Sequence, residues 1–263
     1  MKWRVVAIIL VIALIFPYMI VAETENDDGM MNQLDLLSDE VLHLVKAQKY
    51  EEASRMLNYF TDQFVLATST STAMTRESLR TVTSVHQEVV EEIKKEQSSY
   101  ESKVQKATKL RILMDALSPA KEPMWHEMKG PMLSTLGEVR ESIEAGDSES
   151  FHTQYNTFLS LYDTIYPSLK LEVEPATIQQ LHTRIQYIDQ YRRDVMVKEE
   201  GKRELELLNS ELEDIFDTIT DDEADPSLWW VIISTGSIII LTLSYVGFKK
   251  YKGGKKKEKN PES

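Results

Sequence analysis

From Leu34 to Ile219 apolar residues return at spacings of three and four, and one brief alternation, Leu169 to Val173, is the only stretch with extended character. At about 100° per residue this spacing gathers a single apolar stripe on each helix, which commits the chain to an all-α fold. Leu34, Leu37, Val41, Leu44 and Val45 mark a first helix, and Ala53, Met56, Leu57, Phe60 and Phe64 mark a second that opens near Tyr50. Together they predict a helical hairpin. The Ser/Thr cluster from Thr68 to Thr72 reads as a loop, followed by a long helix through Leu79, Val82, Val89, Ile93, Tyr100, Val104, Ala107, Leu110, Met114 and Leu117, with Ser98 and Ser99 as its break point.

Pro119 and Pro123 stop that helix, because proline lacks an amide donor and collides with the preceding turn. Pro131 in a first turn starts the next, with Met132, Leu136, Val139 and Ile143 inward. Gly146 and Asp147 turn the chain into a partner helix carrying Phe151, Tyr155, Phe158, Leu159, Tyr162 and Ile165, closed by Pro167. From Pro175 a last long helix carries Ile178, Leu181, Ile185, Ile188, Tyr191 and Val195, then Leu205, Leu208, Leu212, Ile215 and Ile219, with a bend at Gly201, where glycine costs ~1 kcal/mol relative to alanine. The expected architecture is an extended helical bundle of two hairpins and two long helices. The hairpins superpose at an offset of 98 residues, Val45 on Ile143, Ala47 on Ala145, Leu57 on Tyr155, Asn58 on Asn156, Phe60 on Phe158 and Phe64 on Tyr162, so a structural repeat is an open expectation.

Each end of the chain carries an apolar run. Lys2 and Arg4 precede the run Val5–Phe16, then Pro17 and the small or aliphatic Ile20, Val21 and Ala22, which is the plan of a signal peptide over residues 1–22. A core this short falls below the roughly 20 residues of a stable span, so cleavage after Ala22 is expected, with an uncleaved anchor as the alternative. Leu228 to Phe248 has no charged residue and is long enough to cross a bilayer. Asp225 and Pro226 form a cap and first turn, Trp229 and Trp230 suit the outer interface, and seven lysines from Lys249 to Lys259 act as a stop-transfer signal. The expected organisation is therefore a signal peptide at 1–22, an acidic extracytoplasmic helical domain at 23–225 with a loose polar start to Met31, one C-terminal transmembrane helix at 226–248 and a basic cytoplasmic tail at 249–263. Localisation is expected at the cell membrane as a single-pass protein.

Charge narrows the partners. The formal net charge is -13, and residues 23–227 alone hold 41 acidic against 21 basic residues. A body this acidic is repelled by nucleic acid and anionic polymers, so nucleic acid is not an expected partner and another extracytoplasmic or membrane protein is. The membrane lipid bilayer is the second expected partner. The three-four alternation of the last long helix also suits a coiled-coil seam for a homo-oligomer. Cysteine is absent, so disulfides and thiolate metal sites are unavailable.

Catalytic signatures are sparse. Glu40 with His43, and Glu149 with His152, have the Glu-x-x-His spacing of di-iron bundles. Yet Glu40 lies about 90° and His43 about 150° from the centre of the first apolar face. Ser118 to Lys121 forms Ser-x-x-Lys, without the companion motifs or the sheet that such enzymes need. Trp125 beside His126 reads as a core staple at a helix entry. No nucleotide loop, nucleophile elbow or zinc-protease motif is present. No catalytic, cofactor-binding or metal residue is therefore expected, and no cofactor.

The signal segment, the cysteine-free body containing Val45 to Leu57 and Trp125 to Gly137, the entry Asp225, Pro226, Leu228, Trp229, Trp230 and the lysine tail together resemble the YpjB-type sporulation proteins of endospore-forming bacilli. The resemblance covers nearly the whole chain and carries no catalytic motif. It implies a membrane protein connected with endospore formation. The expected function is a non-enzymatic scaffold or adaptor whose extracytoplasmic helices bind another protein; the alternative is an extracytoplasmic hydrolase or wall-modifying enzyme with a disguised, metal-dependent site.

Overall fold

The computed structural model describes residues 21–70, 74–118, 123–222 and the isolated positions 235, 237, 239 and 240. The chain divides into a first unit ending at Glu213 and a second beginning at Asp214. Among the described residues the secondary structure is helical throughout: α1 (Val21–Lys46), α2 (Tyr50–Thr70), α3 (Arg76–Lys94), α4 (Tyr100–Ala116), a 3-10 turn (Met124–Met128), α5 (Lys129–Glu144), α6 (Ser148–Glu172), α7 (Pro175–Gln190), α8 (Arg192–Val197) and α9 (Glu199–Asp222). The all-α expectation holds. No helix among the described residues is long and apolar enough to cross a membrane. The expected signal segment (up to residue 20), transmembrane helix and tail lie outside the described residues, apart from the four isolated positions.

Several boundaries differ from the sequence reading. The polar start to Met31 is not loose but helical, because α1 runs from Val21 and Met31 and Leu34 are buried in the core. Thr68 and Ser69 do not open a loop; their hydroxyls donate to the carbonyls of Val65 and Leu66 and α2 continues to Thr70. Pro167 does not close its helix. It sits buried inside α6, and the missing hydrogen bond is tolerated because Ile165 and Leu169 continue the buried stripe through what had read as extended chain. The acidic stretch that begins at Thr220 and precedes the expected span is helical as far as Asp222.

The larger correction concerns the two long helices, each of which is a hairpin. The first reverses between Lys94 and Tyr100. Ser99 caps α4 by accepting from the Ser102 amide, while the Glu92 carboxylate accepts from the Ser98 and Ser102 hydroxyls and from Lys95 at 2.9 Å. Those hydrogen bonds, the one from Ser102 foremost, hold the Glu92 carboxyl down at about 2. The second reverses across α8. A Cβ on Gly201 would lie 2.2 Å from the Val195 Cα, so what had read as a bend is a close approach of backbone to backbone that only glycine permits.

The four hairpins close into two four-helix bundles within the first unit. In the first, α1 packs on α2, α2 on α3, α3 on α4 and α4 back on α1. In the second, α5 packs on α6 and α6 on α7; Arg184 of α7 binds Glu204 and Glu211 of α9, and α9 faces α5 across a groove. The offset of 98 residues relates the first, second and fourth helices of the two bundles. Buried Leu34, Val41, Ala53, Leu57, Phe60, Ala107, Leu110 and Met114 correspond to buried Met132, Val139, Phe151, Tyr155, Phe158, Leu205, Leu208 and Leu212. Only the third helix is shifted, to 96, where Val82, Val85 and Val89 match Ile178, Leu181 and Ile185.

The first turn of each bundle repeats bond for bond. Gln48 (φ 59) and Gly146 (φ 69) occupy the left-handed position. Gln48 N–H donates to Val45 and Lys49 N–H to Leu44, just as Gly146 N–H donates to Ile143 and Asp147 N–H to Ser142. This is the Schellman closure of a helix C-terminus.

The bundles stand side by side and point the same way. Gln105 Nε2 donates to the Ser160 carbonyl at 3.0 Å and Lys109 Nζ to Asp163 at 2.9 Å, so α4 and α6 run parallel. Lys106 and Lys109 are shared between Glu88 of α3 and Asp163 of α6. Burial works against the Asp163 charge, but Lys109 and Lys106 outweigh it and hold its carboxyl below the usual range. Tyr155 donates from its hydroxyl to the Ile185 carbonyl, and Tyr162 and Tyr166 stack on His182, so α6 and α7 are antiparallel. The turns of all four hairpins thus fall at one end of the first unit, and the reversal from α6 into α7 falls at the other.

Candidate functional site

In the first bundle the seam between the outer helices α1 and α4 is sealed by charge. Arg111, with its side chain 12% exposed, reaches from α4 to Asp35 and, through Nε at 3.1 Å, to Asp39 on α1. Its own-helix neighbour Asp115 lies 3.6 Å away and also accepts from the Met124 amide at 2.6 Å, tying the seam to the 3-10 turn. Three carboxylates around a planar guanidinium use its fixed fork of donors.

The corresponding seam of the second bundle is open. At the offset of 98, Asp35 becomes Leu133, Asp39 becomes Gly137, Arg111 becomes Asn209 and Asp115 becomes Glu213. All four line a groove of ≈ 430 Å³ between α5 and α9. A Cβ placed on Gly137 would meet nothing within 4 Å, and Asn209 is too short to cross, donating instead to Glu213 at 2.8 Å. Leu136, Ile143 and Leu205 extend the apolar floor, and Arg140, Glu144, Lys202 and Glu206 form the rim. Arg140 lies 4.0 Å from Glu144, and Lys202 pairs with Glu199 at 2.7 Å. The rim cations are therefore occupied, while Glu206 has no cation of its own among the described residues. Chemically this is a concave, half-apolar surface with carboxylates at its edge, suited to a side chain that combines an aliphatic stem with a basic head.

Trp125 lies at the junction of the bundles. It is fully buried in the 3-10 turn, and its indole Nε1 donates to Glu172 at the end of α6. Glu172 is exposed as a whole, but partial desolvation of its carboxyl against the buried indole raises it to about 6, with Asp115 adding to the rise and the indole hydrogen bond opposing it. The reading of Trp125 as a core staple holds.

The structure does not bring the Glu-x-x-His pairs together. Glu40 and His43 are exposed on α1, and Glu149 and His152 are exposed on α6 in the other bundle, where His152 lies 3.3 Å from an Arg192 nitrogen. Among the described residues no group of three or more His, Asp and Glu side chains is placed to hold a metal ion. Ser118 donates to Asn32 at 2.7 Å, and its motif partner Lys121 lies outside the described residues. No single motif marks the groove. Its signal was the exchange of Asp39 and Arg111 for Gly137 and Asn209 across the repeat, visible only once the 98-residue register is carried past the first hairpin.

The sequence profile of Sporulation protein YpjB (SpoYpjB) matches residues 31–260, which includes both bundles. The chain belongs to the YpjB sporulation protein family. A relative from Bacillus subtilis (strain 168), described as "Uncharacterized protein YpjB", is 36% identical over 258 residues, covering 97% of each chain. No solved structure matches. Family membership thus connects the groove-bearing bundle with sporulation and assigns no reaction to it.

Proposed function

We propose that this family member is a membrane-anchored, non-enzymatic scaffold in sporulation that receives a segment of another protein in the α5–α9 groove. The observation that carries this reading is the open second seam at positions where the first bundle is latched by Arg111. A partner side chain with a basic head, laid over Leu133 and Leu205, would meet the carboxylates of Glu206 and Glu213. The anchor is argued from the sequence: Leu228 to Phe248 is uncharged, with tryptophans before it and lysines after it. On this reading the acidic bundles lie outside the cytoplasm.

Gly137→Phe tests the groove directly, because the new ring has open space to enter and α5 loses a helix-weakening glycine. The expected outcome is a folded, normally abundant protein that loses its crosslinked partner in sporulating cells and matches a deletion strain in spore yield. Retention of both the partner and wild-type spore yield would refute the groove. For the anchor, protease added to intact protoplasts should digest the bundles; digestion only after lysis would reverse the topology.

A further inference from the structure

We propose that copies of this chain associate head to tail, the outer face of α9 in one copy docking on the outer face of α2 in the next and repeating the α4–α6 junction that joins the two bundles within one chain. The internal junction supplies the template. On α4 it uses Gln105 and Lys109; on α6 it uses Ser160, Asp163 and Thr164. Because the second bundle repeats the first, α9 presents the α4 half of such a junction, and among the described residues no third bundle receives it. By the same register α2 presents the α6 half, and among the described residues no bundle stands before it.

The residues at those positions have changed together. Gln105 and Ser160 become Arg203 and Asp62, an opposite-charge pair; Lys109 and Asp163 become Leu207 and Val65, an apolar pair, and Thr164 becomes Leu66. The polar and ionic internal contact is thus rewritten as an apolar patch with one ion pair beside it. In the single chain these side chains are uncovered: Val65 is 59% exposed, Leu66 55% and Leu207 38%, and Arg203 and Asp62 are exposed as well. The terminal units of a stacked repeat ordinarily turn a polar face outward, and α2 does the reverse with two adjacent aliphatic residues.

The step from one bundle to the next keeps α4 and α6 parallel, so continued repetition leaves every α9 pointing the same way. An interface between two different faces is heterologous and propagates into a ring or a filament instead of stopping at a dimer. The inference rests on the repeat and not on the groove: Gly137→Phe should leave self-association intact, so the two proposals fail separately.

The cysteine-free chain makes the test clean. Full-length protein carrying both Val65→Cys and Leu207→Cys, kept in membranes and treated with a short bismaleimide, should give a ladder of dimers, trimers and higher species. Either single variant alone should remain monomeric, whereas a mixture of the two should stop at dimers. A double variant that stays monomeric overturns the proposal, as does dimerisation of Leu207→Cys alone, which would mean a two-fold symmetric contact. On the double-cysteine background Arg203→Glu should lower the crosslinked yield by up to about fivefold, the range of an exposed ion pair, and Asp62→Arg in the same chain should restore it. A ladder indifferent to Arg203→Glu would show another register and overturn the assigned interface. All four positions are exposed, so unchanged thermal melting of each variant verifies that folding is intact.

Discussion

The two bundles share a core plan and differ in how they are closed. The first is sealed by Arg111 between α1 and α4, and its left-handed turn residue is the non-ideal Gln48. The second has a gap where that latch would stand, a glycine at the same turn, and a second glycine where α9 comes back against α8. Equal buried stripes therefore do not make equal surfaces. The core positions preserve the fold in both halves, while the seam positions are the ones in which the halves have become chemically distinct.

That contrast can be broken most sharply at position 201. Gly201→Ala forces a Cβ into the Val195 backbone and should cost about 3 kcal/mol or more, read as a lowered urea midpoint. The matching change in the first bundle, Lys103→Ala, removes a cation 4.3 Å from the Tyr50 ring centre and should cost about 1 kcal/mol. Equal effects would mean that α9 does not fold back on α8. Between the bundles, Lys109→Ala leaves Glu88 and Asp163 with only the partly exposed Lys106 and should cost about 2 kcal/mol in the same measurement. If it is silent, the junction is held by apolar packing alone.

Acid should act on the two halves with opposite sign. Glu92 is depressed to about 2, so its contribution is present above pH 4.5 and is lost as pH falls toward 2. Glu172 is raised to about 6, so the fold binds its proton more tightly than the unfolded chain does, and stability declines as pH rises from 4.5 through 6. Glu172→Gln should remove that decline and add about 1 kcal/mol at pH 7, a figure discounted for the exposure of the residue. Thermal melts of the variant and parent at pH 4.5 and 7.5 measure the difference, and an equal gap at both values would disprove it. The smallest effect belongs to the turns. Gln48→Gly should stabilise by about 0.5 to 1 kcal/mol, and Gly146→Gln should destabilise by about 1 kcal/mol, because both sites need positive φ.

Much of the fold was readable before the structure. The stripes at Leu34 to Val45 and at Phe151 to Ile165 located helices and their inward faces, and the paired hairpins at an offset of 98 were already visible. What periodicity does not reveal is direction. A stripe continues across Ser98 or Lys198 whether the chain runs on or reverses, because spacing records which residues share a face and not where the axis goes. For the same reason Pro167 and the Ser/Thr cluster near Thr68 read as stops, although the buried stripe carries α6 past the one and hydroxyl-to-carbonyl bonds hold α2 through the other. The groove was harder still. Leu133, Gly137 and Asn209 are ordinary in isolation and become informative only beside Asp35, Asp39 and Arg111.

The gathering of the four hairpin turns at one end of the first unit makes that end a pole of short connections, opposite the α6–α7 reversal, with a shaft of packed helices between them. Epitope tags or protease sites introduced at Gln48, Gln97 or Gly146 would interrupt no helix interior, so that pole is the natural place to label, cut or permute the protein while its working faces along the shaft stay undisturbed.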